Sequence, residues 1–242
     1  MHLPFLTQRT VDKLIIDFKF NNKYVVIVGG GLEGYRKTLS FLDAGSKILI
    51  VSKTFSKNIK KLHLKKKIDL IKMDVKDARL FINHINPKPD LLIAATDDQN
   101  LNAQLAKHAK EVGCMVYAVD NPLISDFIFP ALAKIGDVKI AISTNGKSPL
   151  IAKVLRQRIE KMITEEDLLQ IKLQNYAREI LKQHVLDQKV RKKALYKILN
   201  DDNIKTLLMR GKFDDAKKIT MEIIDYFKAN DENYKSHPAL AN

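Results

Sequence analysis

The chain holds one cysteine, Cys114, and no tryptophan among its 242 residues. A lone cysteine excludes an internal disulfide and fits a reducing compartment. Its neighbours, Val112-Gly113 and Met115-Val116, read as the start of a buried strand, so Cys114 is expected in the core and not as a nucleophile. No stretch approaches the ~20 uninterrupted apolar residues of a membrane span, and no membrane partner is expected. The N-terminus lacks a basic region followed by an apolar core and a small-residue cleavage site, so no secretory leader is expected either. The histidines (His2, His63, His84, His108, His184, His237) form no cluster with Cys114 at metal-ligand spacing, and no metal site is expected. A cytoplasmic, soluble protein is the reading.

Acidic residues are the minority: 28 against 42 Lys and Arg, a formal net charge of +14. Such an excess suits nucleic acid, an anionic surface or a polyanionic small molecule. The densest cluster is Lys53, Lys57, Lys60, Lys61, Lys65, Lys66 and Lys67, with no acid between them. Phe55 is the only aromatic residue there, which argues against stacked single-stranded nucleic acid. A solvated lysine-rich face suffices to explain it.

The informative stretch is Tyr24-Val25-Val26-Ile27-Val28 running into Gly29-Gly30-Gly31-Leu32-Glu33-Gly34. A β-branched strand followed by G-x-G-x-x-G and a helix-compatible segment over 33–44 is the context of a dinucleotide-binding turn. Gly29 allows the sharp turn, Gly31 the close approach of a pyrophosphate, and Gly34 close helix–strand packing. The diphosphate would lie on the N-terminal N–H groups of the helix. At the end of strand two, where an acid often holds the ribose, stand Ser52-Lys53-Thr54. This feature therefore does not favour NAD over NADP.

Helical spacing at Val11, Leu14, Ile15 and Phe18 predicts a helix before the turn Asn21-Asn22. Past the glycine turn, Gly45 suits a helix C-cap, and strands are expected at 47–51, 68–73, 91–95 and 115–119. Helices are expected at 78–86, stopped by Pro87, and at 99–112, with Asp97 or Asp98 as N-cap. This βαβα alternation gives an α/β fold, a doubly wound parallel Rossmann-type sheet. Strands 131–135 and 138–142 around Gly136-Asp137 form a hairpin, and Ser148-Pro149 opens a helix. After Pro149 no proline follows before Ala229, and Gly211 is the only glycine in that stretch. Stripes at Leu169, Leu173, Tyr176 and Ile180, at Ile204, Leu207 and Leu208, and at Ile219, Ile223 and Phe227 predict a separate helical domain. The expected division is 1–129, 130–161 and 162–242, with a polar, loose tail over 230–242.

Several motifs converge in order: Val28-Gly29-Gly30-Gly31 with Arg36-Lys37, Ala94-Ala95-Thr96-Asp97-Asp98, Val119-Asp120-Asn121-Pro122, Phe127-Ile128-Phe129-Pro130, and Ala141 to Pro149. Over residues 16–160 the chain resembles the precorrin-2 dehydrogenase and sirohydrochlorin ferrochelatase family of sirohaem biosynthesis. The resemblance implies hydride removal from precorrin-2 to NAD⁺, giving sirohydrochlorin, with insertion of ferrous iron in some members. It places the catalytic aspartate at Asp120, where a carboxylate at the tip of strand five could accept a proton. It places the cofactor on Gly29, Gly31, Leu32, Glu33 and Gly34, with Lys53, Thr54, Thr96 and Asp97 nearby. Thr144, Asn145 and Lys147 would contact substrate, although Thr144-Asn145 replaces the Ser-Gly common in the family. A homodimer built on the hairpin region is also implied, without the methyltransferase domain of fused sirohaem synthases. The acetate and propionate groups of precorrin-2 would suit the basic chain. Two alternatives stay open: a nucleotide-sensing regulatory module without catalysis, and a nucleic-acid binder using the lysine face.

Overall fold

The computed structural model describes residues 13–236, with side chains up to residue 229, and divides the chain into two units, residues 1–129 and 130–242. In the first unit five strands alternate with four helices: β1 (Tyr24–Val28), α1 (Leu32–Asp43), β2 (Lys47–Ser52), α2 (Lys57–Leu64), β3 (Asp69–Lys72), α3 (Ala78–His84), β4 (Leu91–Ala94), α4 (Gln99–Glu111) and β5 (Met115–Ala118). All pairings are parallel, in the order β3-β2-β1-β4-β5. Apart from the exposed edge strand β3, the strands are largely apolar runs because both sheet faces are covered. Val26, Val28, Leu92, Ala94 and Val116 pack with Leu105, Ala106 and Ala109 of α4 and Ile82 of α3. On the opposite face Val25, Ile27, Ile50, Leu91 and Ile93 pack with Phe41 of α1 and Ile59 of α2. The order reverses at β1, so the turns after β1 and β4 meet at one sheet edge, where such folds bind ligands. Cys114 is buried in this core, which pushes its thiol pKa up to about 12 and fits the packing role.

Two expectations need correction, and one helix was not foreseen. Residues 13–20 form neither helix nor strand, and Leu14, Ile15, Ile16 and Phe18 are exposed. The helical spacing there has no core beneath it; only Phe20 reaches inward, 4.9 Å from the Phe41 ring. Val11 lies outside the described residues. Within the lysine cluster an unforeseen helix, α2, is capped by Ser56, whose side chain accepts from Ile59 N–H. At the C-terminus α9 continues to Ser236, into the stretch expected to be loose, since neither proline nor glycine interrupts it.

The second unit contains the antiparallel hairpin β6 (Ala131–Ile135) and β7 (Val138–Ile142), then α5 (Pro149–Glu160), α6 (Glu165–His184), α7 (Gln188–Asn200), α8 (Asp202–Met209) and α9 (Phe213–Ser236). Leu173, Ala177 and Leu181 of α6 meet Ile198, Ile204, Leu208, Ala216 and Ile224 in the bundle core. The centre of α9 falls on Ala216, Thr220 and Ile224, with the anticipated Ile219, Ile223 and Phe227 flanking it. Thr220 is satisfied there by donating to Ala216 O at 2.8 Å. No helix among the described residues is long and apolar enough to cross a membrane.

Candidate functional site

The turn between β1 and α1 is fixed by steric demands of its glycines. Gly29 has φ +129°, and a Cβ there would stand 2.1 Å from Ala95 O. At Gly34 a Cβ would stand 2.2 Å from Gly29 O, so this glycine serves helix packing. Gly30, outside the fingerprint, is equally constrained, with Thr54 O 2.1 Å from a built Cβ. Gly31 alone in this turn has open space around it. Hydrogen bonds hold the loop: Gly29 N–H donates to Val51 O at 2.9 Å, Gly30 N–H to Ser52 Oγ at 3.0 Å, and Ser56 N–H to Gly30 O at 3.0 Å.

Helix α1 has Gly31 at its N-cap and so no side-chain cap, whereas Ser56, Asp77, Asp98 and Ser148 cap α2, α3, α4 and α5. Its first N–H groups therefore have no side-chain acceptor, an arrangement suited to an anion. A cavity of about 780 Å³ opens at this edge. Of the anticipated cofactor residues, Gly29, Gly31, Lys53, Thr54, Thr96 and Asp97 line it. Leu32, Glu33 and Gly34 do not: Leu32 is exposed, Glu33 pairs with Arg36, and Gly34 packs on the loop.

Two contributors were not foreseen. Asn102, fully buried in α4, accepts Thr96 N–H at 3.1 Å and Thr96 Oγ1–H at 2.7 Å, and donates to Thr96 O at 3.0 Å. It holds the β4–α4 corner, while Asp98 caps the helix by accepting Leu101 N–H. Its spacing from Leu105, Ala106 and Ala109 put it on the apolar stripe, and a polar residue there was the available signal. Asp74, after β3, lines the cavity, and its Oδ1 lies 3.0 Å from Lys53 Nζ.

Asp120 follows β5 at the same sheet edge, exposed, and makes no hydrogen bond or ion pair among the described residues. It is not among the residues lining the cavity. Behind it, Tyr117 of β5 and Phe129, which follows β5 in the chain, receive the Lys37 ammonium at 4.7 and 3.8 Å from their ring centroids. Burial lowers the Lys37 pKa and raises that of Tyr117. Lys37 is therefore half-buried on aromatic rings, whereas Arg36 stays on the exposed helix face.

Thr144, Asn145 and Lys147 lie in the second unit, in the loop from β7 to α5. Thr144 Oγ1 accepts Ser148 N–H at 3.1 Å, and Lys147 N–H donates to Thr144 O at 2.9 Å. Asn145 adopts φ +52°, the conformation a glycine would take. Among the described residues no group of three or more His, Cys, Asp or Glu could hold a metal ion.

A family model for NAD(P)-binding domains matches residues 16–131, and one for the central part of sirohaem biosynthesis proteins matches 136–162. A precorrin-2 dehydrogenase of Methanosarcina barkeri is 31% identical over 81% of this chain and 87% of its own length. A siroheme synthase of Blochmanniella floridana is 31% identical over 84% of this chain, which spans 43% of the synthase. The solved structure of SirC, a precorrin-2 dehydrogenase, superposes with a TM-score of 0.70 over 87% of this chain and all of that one, at 21% identity. That likeness shows the shared fold.

Proposed function

The chain belongs to the precorrin-2 dehydrogenase family, and we propose that it oxidises precorrin-2 to sirohydrochlorin with NAD⁺. The observation that carries this reading is the uncapped start of α1 beside a glycine turn, opening on a cavity of about 780 Å³. The uncapped N–H groups and the space at Gly31 fit a dinucleotide diphosphate. When bound, the nicotinamide supplies the hydride acceptor. The substrate loses one hydride and one proton, and Asp120, exposed and unpaired, is the base that takes the proton. The net charge of +14 supports a substrate that carries several carboxylates. Thr144, Asn145 and Lys147 contact that substrate from the loop before α5.

Iron insertion into sirohydrochlorin is a second step at the same site, with ferrous iron as substrate and the macrocycle nitrogens as its ligands. The working form is a homodimer. In the hairpin and α5 only Ala133 and Ala152 are fully buried, while Leu132, Leu150, Ile151 and Leu155 are exposed. This is the apolar surface a second copy would cover. The cytoplasm, where a buried free thiol persists, is its compartment.

The test is anaerobic incubation with precorrin-2 and NAD⁺, followed by absorbance. Sirohydrochlorin should form with the wild type and at least about a hundredfold more slowly with Asp120→Asn, while NAD⁺ binding is retained. Turnover by Asp120→Asn at the wild-type rate would remove Asp120 from the mechanism. Ferrous iron added afterwards tests the second step.

A further inference from the structure

We propose that Asp74 makes the dinucleotide site reject a 2′-phosphate, so that the chain selects NAD over NADP. This rests on the cavity being a nicotinamide-dinucleotide site. Strand β2 ends without the acid that often holds the ribose 2′-hydroxyl. Ser52, which stands there, commits its hydroxyl to Gly30 N–H at 3.0 Å. Lys53 comes next and lines the cavity. A free cation at that place would welcome a 2′-phosphate.

Lys53 is not free. Asp74 Oδ1 lies 3.0 Å from its Nζ, and Asp74 lines the same cavity. The placement follows from the sheet register, because Ser52 pairs with Lys72 and Met73 N–H donates to Ser52 O at 3.0 Å. The acid missing from the end of β2 is thus supplied from the end of the neighbouring strand. A 2′-phosphate would have to take Lys53 from Asp74 and then sit beside that carboxylate. Discrimination by like-charge repulsion is the result. A 2′-hydroxyl meets no such repulsion and can donate to Asp74. The ion pair is exposed and contributes little to stability, so either residue can be changed without unfolding the chain. Lys76 also lines the cavity, which makes a separate test of Lys53 necessary.

Calorimetric titration of the intact protein with NAD⁺ and with NADP⁺ tests the proposal. The wild type should bind NAD⁺ roughly tenfold or more tightly than NADP⁺. Asp74→Asn should bring the ratio to about one or invert it. Adding Lys53→Met to that variant should remove the gain in NADP⁺ affinity. Equal binding by the wild type, or a ratio unmoved by Asp74→Asn, would overturn the role of Asp74 alone. Binding of neither dinucleotide would overturn the cofactor reading itself, and the selection with it.

Discussion

Gly30 and Gly31 are neighbours in one turn with opposite demands. A methyl group on Gly30 would overlap Thr54 O, whereas one on Gly31 meets nothing. Gly30→Ala should therefore lower stability by about 1–3 kcal/mol in urea unfolding. Gly31→Ala should unfold within about 0.5 kcal/mol of wild type yet lose dinucleotide affinity in titration. Equal stability losses in the two variants would contradict this division of labour. Asn102→Leu would leave Thr96 N–H without its buried acceptor, at a cost of about 1–3 kcal/mol, measurable in the same unfolding experiment. The spaced glycines were legible because a fingerprint names them. Gly30 and Asp74 were not, since their constraints come from β2 and β3, far away in sequence.

Among the elements, β1 and β4 are tied at their starts by Asp90. Its carboxylate accepts Lys23 Nζ–H at 2.7 Å and Tyr24 N–H at 2.8 Å. The bond from Lys23, then that from Tyr24, holds the Asp90 pKa below its ordinary value. The unfolded chain thus binds this proton more readily than the fold does. The stabilisation is complete above the usual carboxylate pKa of about 4 and is lost as pH falls through the lower folded-state value. Asp90→Asn should cost about 1 kcal/mol at neutral pH, a difference that shrinks towards zero in acid. Urea unfolding across pH checks it; a constant difference would contradict it. Strands such as β4 and the hairpin β6–β7 were legible because apolar runs and a Gly-Asp turn have few other meanings. Helix α2 was not, because lysines surround its one buried residue, Ile59, and obscure the periodicity. At the N-terminus the reverse held: residues 14–18 carry a helical pattern with no surface to bury it.

For the molecule as a whole, the positive charge, the parallel sheet edge and the family point to one chemistry. The sheet edge gathers most of the residues proposed to hold the dinucleotide, and Asp120 follows its last strand. Composition revealed the charge but not its partner, because lysine clusters on α2 are equally explained as a solvated face. On the proposed reading, two electrons leave precorrin-2 for NAD⁺ on this chain. An anaerobic reaction with limiting precorrin-2, following NADH and sirohydrochlorin together, tests it most directly. Equal amounts of the two products are predicted. Sirohydrochlorin without NADH, or no sirohydrochlorin despite bound NAD⁺, would contradict the account.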